Sequence, residues 1–218
     1  MSRKECLSYG VRAFRSRHGE IRRLKRLHAP SRFGFRAWAS SWLLMDFFSR
    51  LGLESGAHIM DIGCGWGLAG IYCAKSHDAV VTGIDIDPEV FPYLLLHARI
   101  NQVKIKTMNT AFEKLTSEQL ENTDMLIGAD ICFWDGLIDP LKHFICRALA
   151  EGVQTVVIAD PGRHSFYDLA SYFTERRQGE VLSWTAQRPG PVRGKILRIQ
   201  EAPFLADREQ RTRFSALE

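Results

Sequence analysis

The 218-residue sequence predicts a doubly wound α/β domain on a mostly parallel sheet. Three observations predict it. Short apolar runs alternate with longer helix-like stretches from residue 57 to residue 176. One glycine-dense turn, "DIGCGWGLAG" at 61–70, follows the first of those runs and opens a helix. Acids and small residues recur where the runs end, at Asp61/Gly63, Asp85, Ala129/Asp130 and Asp160. Strands alternating with helices make a parallel sheet covered on both faces. Right-handed crossovers then wind it doubly, and ligands settle at the carboxyl ends of its strands.

The elements follow in order. Residues 1–32 read as a basic N-terminal arm or helix, and 33–218 as one domain. Residues 37–51, "AWASSWLLMDFFSRL", are apolar all round, as a buried helix is. Trp42, Phe47 and Phe48 belong to its core face. Strands are expected at 57–62, 79–85, 103–109, 123–130 and 153–160. Helices are expected at 68–76, 88–101, 136–151 and 165–176. Pro88 suits a first helical turn, Pro92 is still early, and Pro140 should interrupt its helix. Residues 179–200, "GEVLSWTAQRPGPVRGKILRIQ", read as two antiparallel strands around a Pro/Gly turn.

Composition excludes several classes. Apolar residues make up 45% of the chain, as in globular proteins. No apolar run approaches the roughly 20 residues of a spanning helix, so no membrane partner is expected. The basic start lacks the apolar block of a secretory signal. Its Arg and Ser also suit a transit peptide, but "LHAPSRFGFRAW" continues directly into folded sequence. Five scattered cysteines lack metal-ligand spacing, so we expect no metal, reduced thiols and a cytoplasmic location. The net charge of +4 hides an asymmetry: residues 1–36 carry eleven Lys or Arg against Glu5 and Glu20 only. Such a segment suits an acidic protein surface or nucleic acid, or is simply a solvated basic helix.

The glycine turn admits two ligand classes. Gly65-x-Gly67-x-x-Gly70 with Asp85 twenty residues on matches a dinucleotide fingerprint. Asp61-x-Gly63-x-Gly65-x-Gly67 instead matches an S-adenosylmethionine (SAM) loop. The strand ends at Ile62, which puts Asp61 in the turn, where a carboxylate repels a pyrophosphate but suits a sulfonium or ammonium. That favours SAM over NAD. A turn serving helix–strand packing alone is the plain alternative. In either ligand reading Asp85 accepts the ribose hydroxyls.

Several stretches together resemble the seven-β-strand, class I SAM-dependent methyltransferases, and among them the small protein-lysine methyltransferases. The likeness covers about residues 33–200: "RAWASSWLLMDFF" with Trp38, "IMDIGCGWGLAGIYCAK", "VTGIDIDPEV", and "GADICFWD" as an Asp130…Phe133 signature. "VVIADPGRHSF" is similar to a segment of the enzymes that methylate lysines of the electron-transfer flavoprotein β-subunit. The resemblance implies a Rossmann-like seven-stranded sheet with a C-terminal antiparallel hairpin. It also implies SAM as cofactor and S-adenosylhomocysteine as product. Phe112 stands where a Trp near the adenine is common, Trp66 is bulky for its place, and the Arg-rich start is not a hallmark of the group.

Roles follow from that resemblance. Gly63, Cys64, Gly65 and Gly67 line the methionine and ribose side, with Asp61 beside them. Phe112 and Ala129 flank the adenine, and Trp38 covers the cofactor. Cys64 is a spacer, not a nucleophile, because no base is linked to it. A lysine acceptor, with an ordinary pKa of about 10.4, must lose its proton. An apolar channel of Phe133, Trp134, Phe33 and Phe35 favours the neutral amine and then attracts the methylated cation. Asp130 orients that amine or passes its proton to water; alternatively it caps a helix, a task for which Asp135 is better placed. Asp160 and Arg163 contact substrate, or close a structural turn as an ion pair. His164 reads as surface. The expected function is methyl transfer to a protein lysine. RNA, a protein histidine or a small metabolite are alternative acceptors, and a non-catalytic nucleotide- or SAM-binding module is the alternative of another class.

Overall fold

In the computed structural model, which describes residues 4–30, 33–176 and 178–200, the alternation becomes one seven-stranded sheet. The described residues open with a hairpin, β1 (Glu5–Ser8) and β2 (Val11–Phe14), then α1 (Gly19–Leu27) and α2 (Ser40–Leu51). Next come β3 (His58–Ile62), α3 (Leu68–His77), β4 (Val80–Asp85), α4 (Phe91–Asn101) and β5 (Lys106–Asn109). There follow α5 (Ser117–Glu121), β6 (Met125–Ala129), α6 (Ile138–Ala150), β7 (Thr155–Asp160) and α7 (His164–Glu175). A hairpin of β8 (Gly179–Ala186) and β9 (Val192–Gln200) ends the described chain.

The sheet runs β5-β4-β3-β6-β7-β9-β8. It is parallel from β5 to β7, and β9 joins β7 antiparallel, as the sequence predicts for the last hairpin. β3 and β6 are neighbours although two strands intervene in the chain. Their border is therefore the switch point, where a crevice opens beyond the carboxyl ends. Side chains alternate between two cores. Met60, Ile62, Leu126, Val156 and Ile158 face α6 and α7. Ile59, Ile127, Val157 and Ala159 face α2 and α3.

The N-terminal expectation needs correcting. Residues 5–14 form a hairpin, not a helix, and it is docked rather than solvated. Tyr9 and Gly10, both at positive φ, make the two-residue turn such hairpins require. Val11 and Ala13 are buried in the main core. The Asn101 side chain pairs with both the N–H and the C=O of Arg12, and His97 Nε2 accepts from the Phe14 amide. Buried Asp46 on α2 accepts from Tyr9 Oη and from Trp184 Nε1 on β8. Among the described residues of this segment only α1 is helical, with Ile21 and Leu24 inward and Arg22, Lys25 and Arg26 exposed. Of the sequence readings, Arg3, Arg32 and residues 201–218 lie outside the described residues.

Smaller differences have local causes. Pro140 falls in the first turn of α6, where its missing N–H interrupts nothing. α5 was not expected; a capping box between Thr116 and Gln119 starts it. β5 begins at Lys106, since Val103 and Ile105 pack on the core without pairing.

Candidate functional site

A cavity of about 300 Å³ opens at the switch point, beyond the carboxyl ends of β3, β4 and β6. Ile62, Gly63 and Gly65 form one wall, Ile84 to Ile86 the next, and Thr110 to Glu113 the far end. Ala129, Ile131, Phe133 and Trp134 close the β6 side, and Phe33, Gly34 and Trp38 lie across the top. A smaller recess continues under Arg36 and Trp38 toward Asp61, Cys64 and Gly67. Of the cofactor residues named from sequence, Gly63, Gly65, Asp85, Phe112, Ala129 and Trp38 line the main cavity. Asp61, Cys64 and Gly67 line the recess.

The glycine loop is built for close approach. Gly65 has φ 51°, and a Cβ there would meet no protein atom within 4 Å, so its open side is left to a ligand. Gly67 is the opposite case: at φ 69° its Cβ would stand 2.6 Å from Leu94 Cγ. The Asp85 carboxylate accepts from Gly65 N (3.0 Å) through Oδ2 and from Asp87 N (3.0 Å) through Oδ1. A carboxylate has about four lone-pair sites, so each oxygen retains capacity for a hydroxyl. Burial pushes the Asp85 pKa up.

Asp61 lies on β3, not in the turn. Strand parity turns its side chain with that of Ile59 toward α3, where Oδ2 accepts from Gly70 N at 3.2 Å. Burial, and then the charge of Asp85, push its pKa up to about 8. Its carboxylate borders the recess and suits a cationic group there. Cys64 is buried beside Gly83, and burial pushes its thiol pKa well up, which makes it inert.

The residues chosen for catalysis and substrate contact divide. Phe133 and Trp134 line the cavity mouth; Phe133 stacks on Phe33 at 4.3 Å, and Trp134 is half exposed. Asp130, Asp160 and Arg163 are not in the cavity wall and form one ion network. The Arg163 guanidinium donates to Asp130 Oδ1 (2.8 Å) and Asp160 Oδ2 (2.6 Å). Asp160 Oδ1 also accepts from Gly162 N and Arg163 N, so the ion-paired turn is the arrangement observed. Asp130 Oδ2 accepts from Ser40 N at 3.0 Å. It caps α2, whose first amides need an acceptor, and both oxygens are engaged. Asp130 thus ties the start of α2 to Arg163, a capping role on another helix than the one expected from the sequence. Asp135 opens a 3-10 turn whose N-cap is Trp134, so it is not the expected cap. His164 is exposed beside Asp168.

Sequence reasoning missed the cross-connections. Trp66 is buried, stacks on Tyr93 (5.2 Å) and His97 (5.4 Å), and donates through Nε1 to Gly34 O at 3.0 Å. Its bulk inside a glycine loop was the one available signal. Among the described residues no group of three His, Cys, Asp or Glu is arranged for a metal, and no helix is long and apolar enough to cross a membrane.

The sequence matches the mycolic acid cyclopropane synthetase family over residues 43–120, the stretch with the glycine loop and Asp85. It is 27% identical over 139 residues to the electron transfer flavoprotein beta subunit lysine methyltransferase of Xenopus laevis, covering 62% of this chain and 56% of that protein. The Danio rerio enzyme of that name is 23% identical, covering 60% and 52%. The chain thus spans little more than half the length of these relatives. Among solved structures, a precorrin-6y C5,15-methyltransferase from Geobacter metallireducens superposes with a TM-score of 0.59 at 12% identity, covering 81% of this chain and 95% of that one. The chain has the class I SAM-dependent methyltransferase fold and, in sequence, resembles the electron transfer flavoprotein β-subunit lysine methyltransferases.

Proposed function

We propose that this protein is a SAM-dependent methyltransferase whose acceptor is a lysine of another protein. The observation that carries the reading is the joining of two surfaces in one cavity. Gly65 and Asp85 offer an open backbone and a diol acceptor, and Phe33, Phe133 and Trp134 form an aromatic mouth beside them. SAM supplies an activated methyl group; the chain binds, aligns and excludes water. Asp85 holds the ribose, Phe112 and Ala129 flank the adenine, and the recess beside Asp61 takes the cationic tail. Asp130 is not in the cavity wall, and its carboxylate is held by Ser40 N and Arg163. The amine therefore arrives neutral, favoured by the apolar lining, or yields its proton to water. Exposed Arg22, Lys25 and Arg26 on α1 suit an acidic patch on the acceptor protein.

The test is transfer from tritiated SAM into a cell lysate, with parallel protease and RNase treatment. Label in protein, recovered as methyl-lysine, supports the proposal. Label lost only to RNase transfers the acceptor to nucleic acid, for which the same cations are suited. Binding of SAM with no transfer to any fraction identifies a non-catalytic module.

A further inference from the structure

Trp66 belongs to the glycine loop, yet its side chain leaves that loop. The ring is clamped against Tyr93 with an interplanar angle of 8° and against His97 at 22°. Only its Nε1–H goes elsewhere, to the Gly34 carbonyl. The preceding carbonyl, Phe33 O, accepts from Trp38 Nε1 at 2.7 Å. Two indoles thus grip consecutive carbonyls of the segment that roofs the cavity. The fit around that segment is tight: a Cβ on Gly34 would stand 2.6 Å from Pro30 Cβ and 2.6 Å from Val90 Cγ1. Phe33, carried by the same peptide, lines the cavity and stacks on Phe133.

From this geometry we infer that Trp66 is a positioning residue that latches the roof over the bound donor. This role rests on the proposed binding of SAM in the cavity. Trp66 stacks on two side chains of α4, whereas residues 33–38 form neither strand nor helix. Its Nε1–H therefore fixes the height of Gly34, and through Gly34 the ring of Phe33 against both donor and acceptor mouth. A ligand on the glycine loop and a ring at the mouth are coupled through this one residue. Loss of the donor N–H leaves the stack intact and frees the roof. The expected effect is faster escape of SAM, with little change in methyl transfer once it is bound.

The experiment uses the full chain and compares wild type, Trp66→Phe and Gly34→Ala. SAM dissociation is followed by stopped flow, together with KM, kcat and the melting temperature of the ligand-free protein. Trp66→Phe is expected to release SAM about tenfold faster and to raise KM for SAM about tenfold, as for a lost buried hydrogen bond. kcat should stay within about twofold. Gly34→Ala displaces the same carbonyl while leaving Trp66 in place, and should also speed release. The double variant should be no worse than the worse single one, because both break one contact. Release and KM unchanged in Trp66→Phe overturn the inference, as does a fall in kcat and melting temperature with release unchanged. Should Trp66→Phe fail to fold, unchanged release in Gly34→Ala overturns it and faster release supports it. Failure of the wild type to bind SAM instead removes the functional reading on which the latch depends.

Discussion

Asp85 Oδ2 stands 3.0 Å from the Gly65 amide nitrogen, so the end of β4 and the glycine loop are locked to each other before any ligand arrives. The bond orients the carboxylate and presents the bare side of Gly65 to the cavity. The loop glycines divide between an open side at Gly65 and a packed one at Gly67.

Gly65→Ala places a methyl in open cavity space at a positive φ, at a cost of about 1–2 kcal/mol. The protein should fold and lose most SAM binding. Gly67→Ala instead drives a Cβ into Leu94 and should chiefly lower the melting temperature. Calorimetric binding and thermal melts of the two variants check the contrast.

Arg163→Ala leaves Asp130 and Asp160 as buried charges without their partner, and should cost about 3–5 kcal/mol of stability. Asp130→Asn keeps an acceptor for Ser40 N and should change kcat less than about tenfold where the variant is folded. Urea melts and kinetics at saturating SAM are the measurements. A thousandfold loss of kcat in Asp130→Asn returns that residue to the reaction centre.

His97 sets an acid limit. Burial lowers its pKa from 6.5 to about 4, and Nε2 must stay unprotonated to accept from Phe14 N. Its folded value lies below the unfolded one, so the unfolded chain takes the proton first. The stabilising contribution is full above about pH 6.5 and is lost as pH falls toward 4. Melts at pH 7.5 and 5 should show the loss, and His97→Gln should flatten it.

Asp61 works in the other direction. Its folded value of about 8 lies above its ordinary value of 3.8, so the ligand-free protein loses stability as pH rises through that interval. A cation in the recess favours the carboxylate. SAM should therefore bind more tightly as pH rises from 6 to 8 and release a proton on binding. Calorimetry in two buffers of different ionisation enthalpy reads the proton directly; Asp61→Asn should abolish the release.

Much of this was legible in the sequence because it is local. The run from Asp61 to Gly67 and the acid at Asp85 are set by a strand, a turn and the next strand, and their spacing survives folding unchanged. Asp61 was placed in the turn but lies on the strand before it, and the direction of its side chain toward α3 follows from strand parity with Ile59. The hairpin at 5–14 was missed although Tyr9-Gly10 marks its turn, because the charge of the segment masked the alternation of Val11, Arg12 and Ala13. The role of Asp130 was out of reach: its partners, Ser40 and Arg163, are 90 and 33 residues away in the chain. The bond from Trp66 to Gly34 spans 32 residues and is closed by packing of α4.

Equilibrium binding of SAM reads the cavity between Gly65 and Asp85 without reference to any acceptor. Wild-type protein titrated with SAM and with S-adenosylhomocysteine should bind both. Asp85→Ala, which loses the diol acceptor and orphans the Gly65 amide, should weaken each about 10- to 100-fold. Wild type that binds neither compound, or Asp85→Ala that binds both as tightly as wild type, rules SAM out of this cavity.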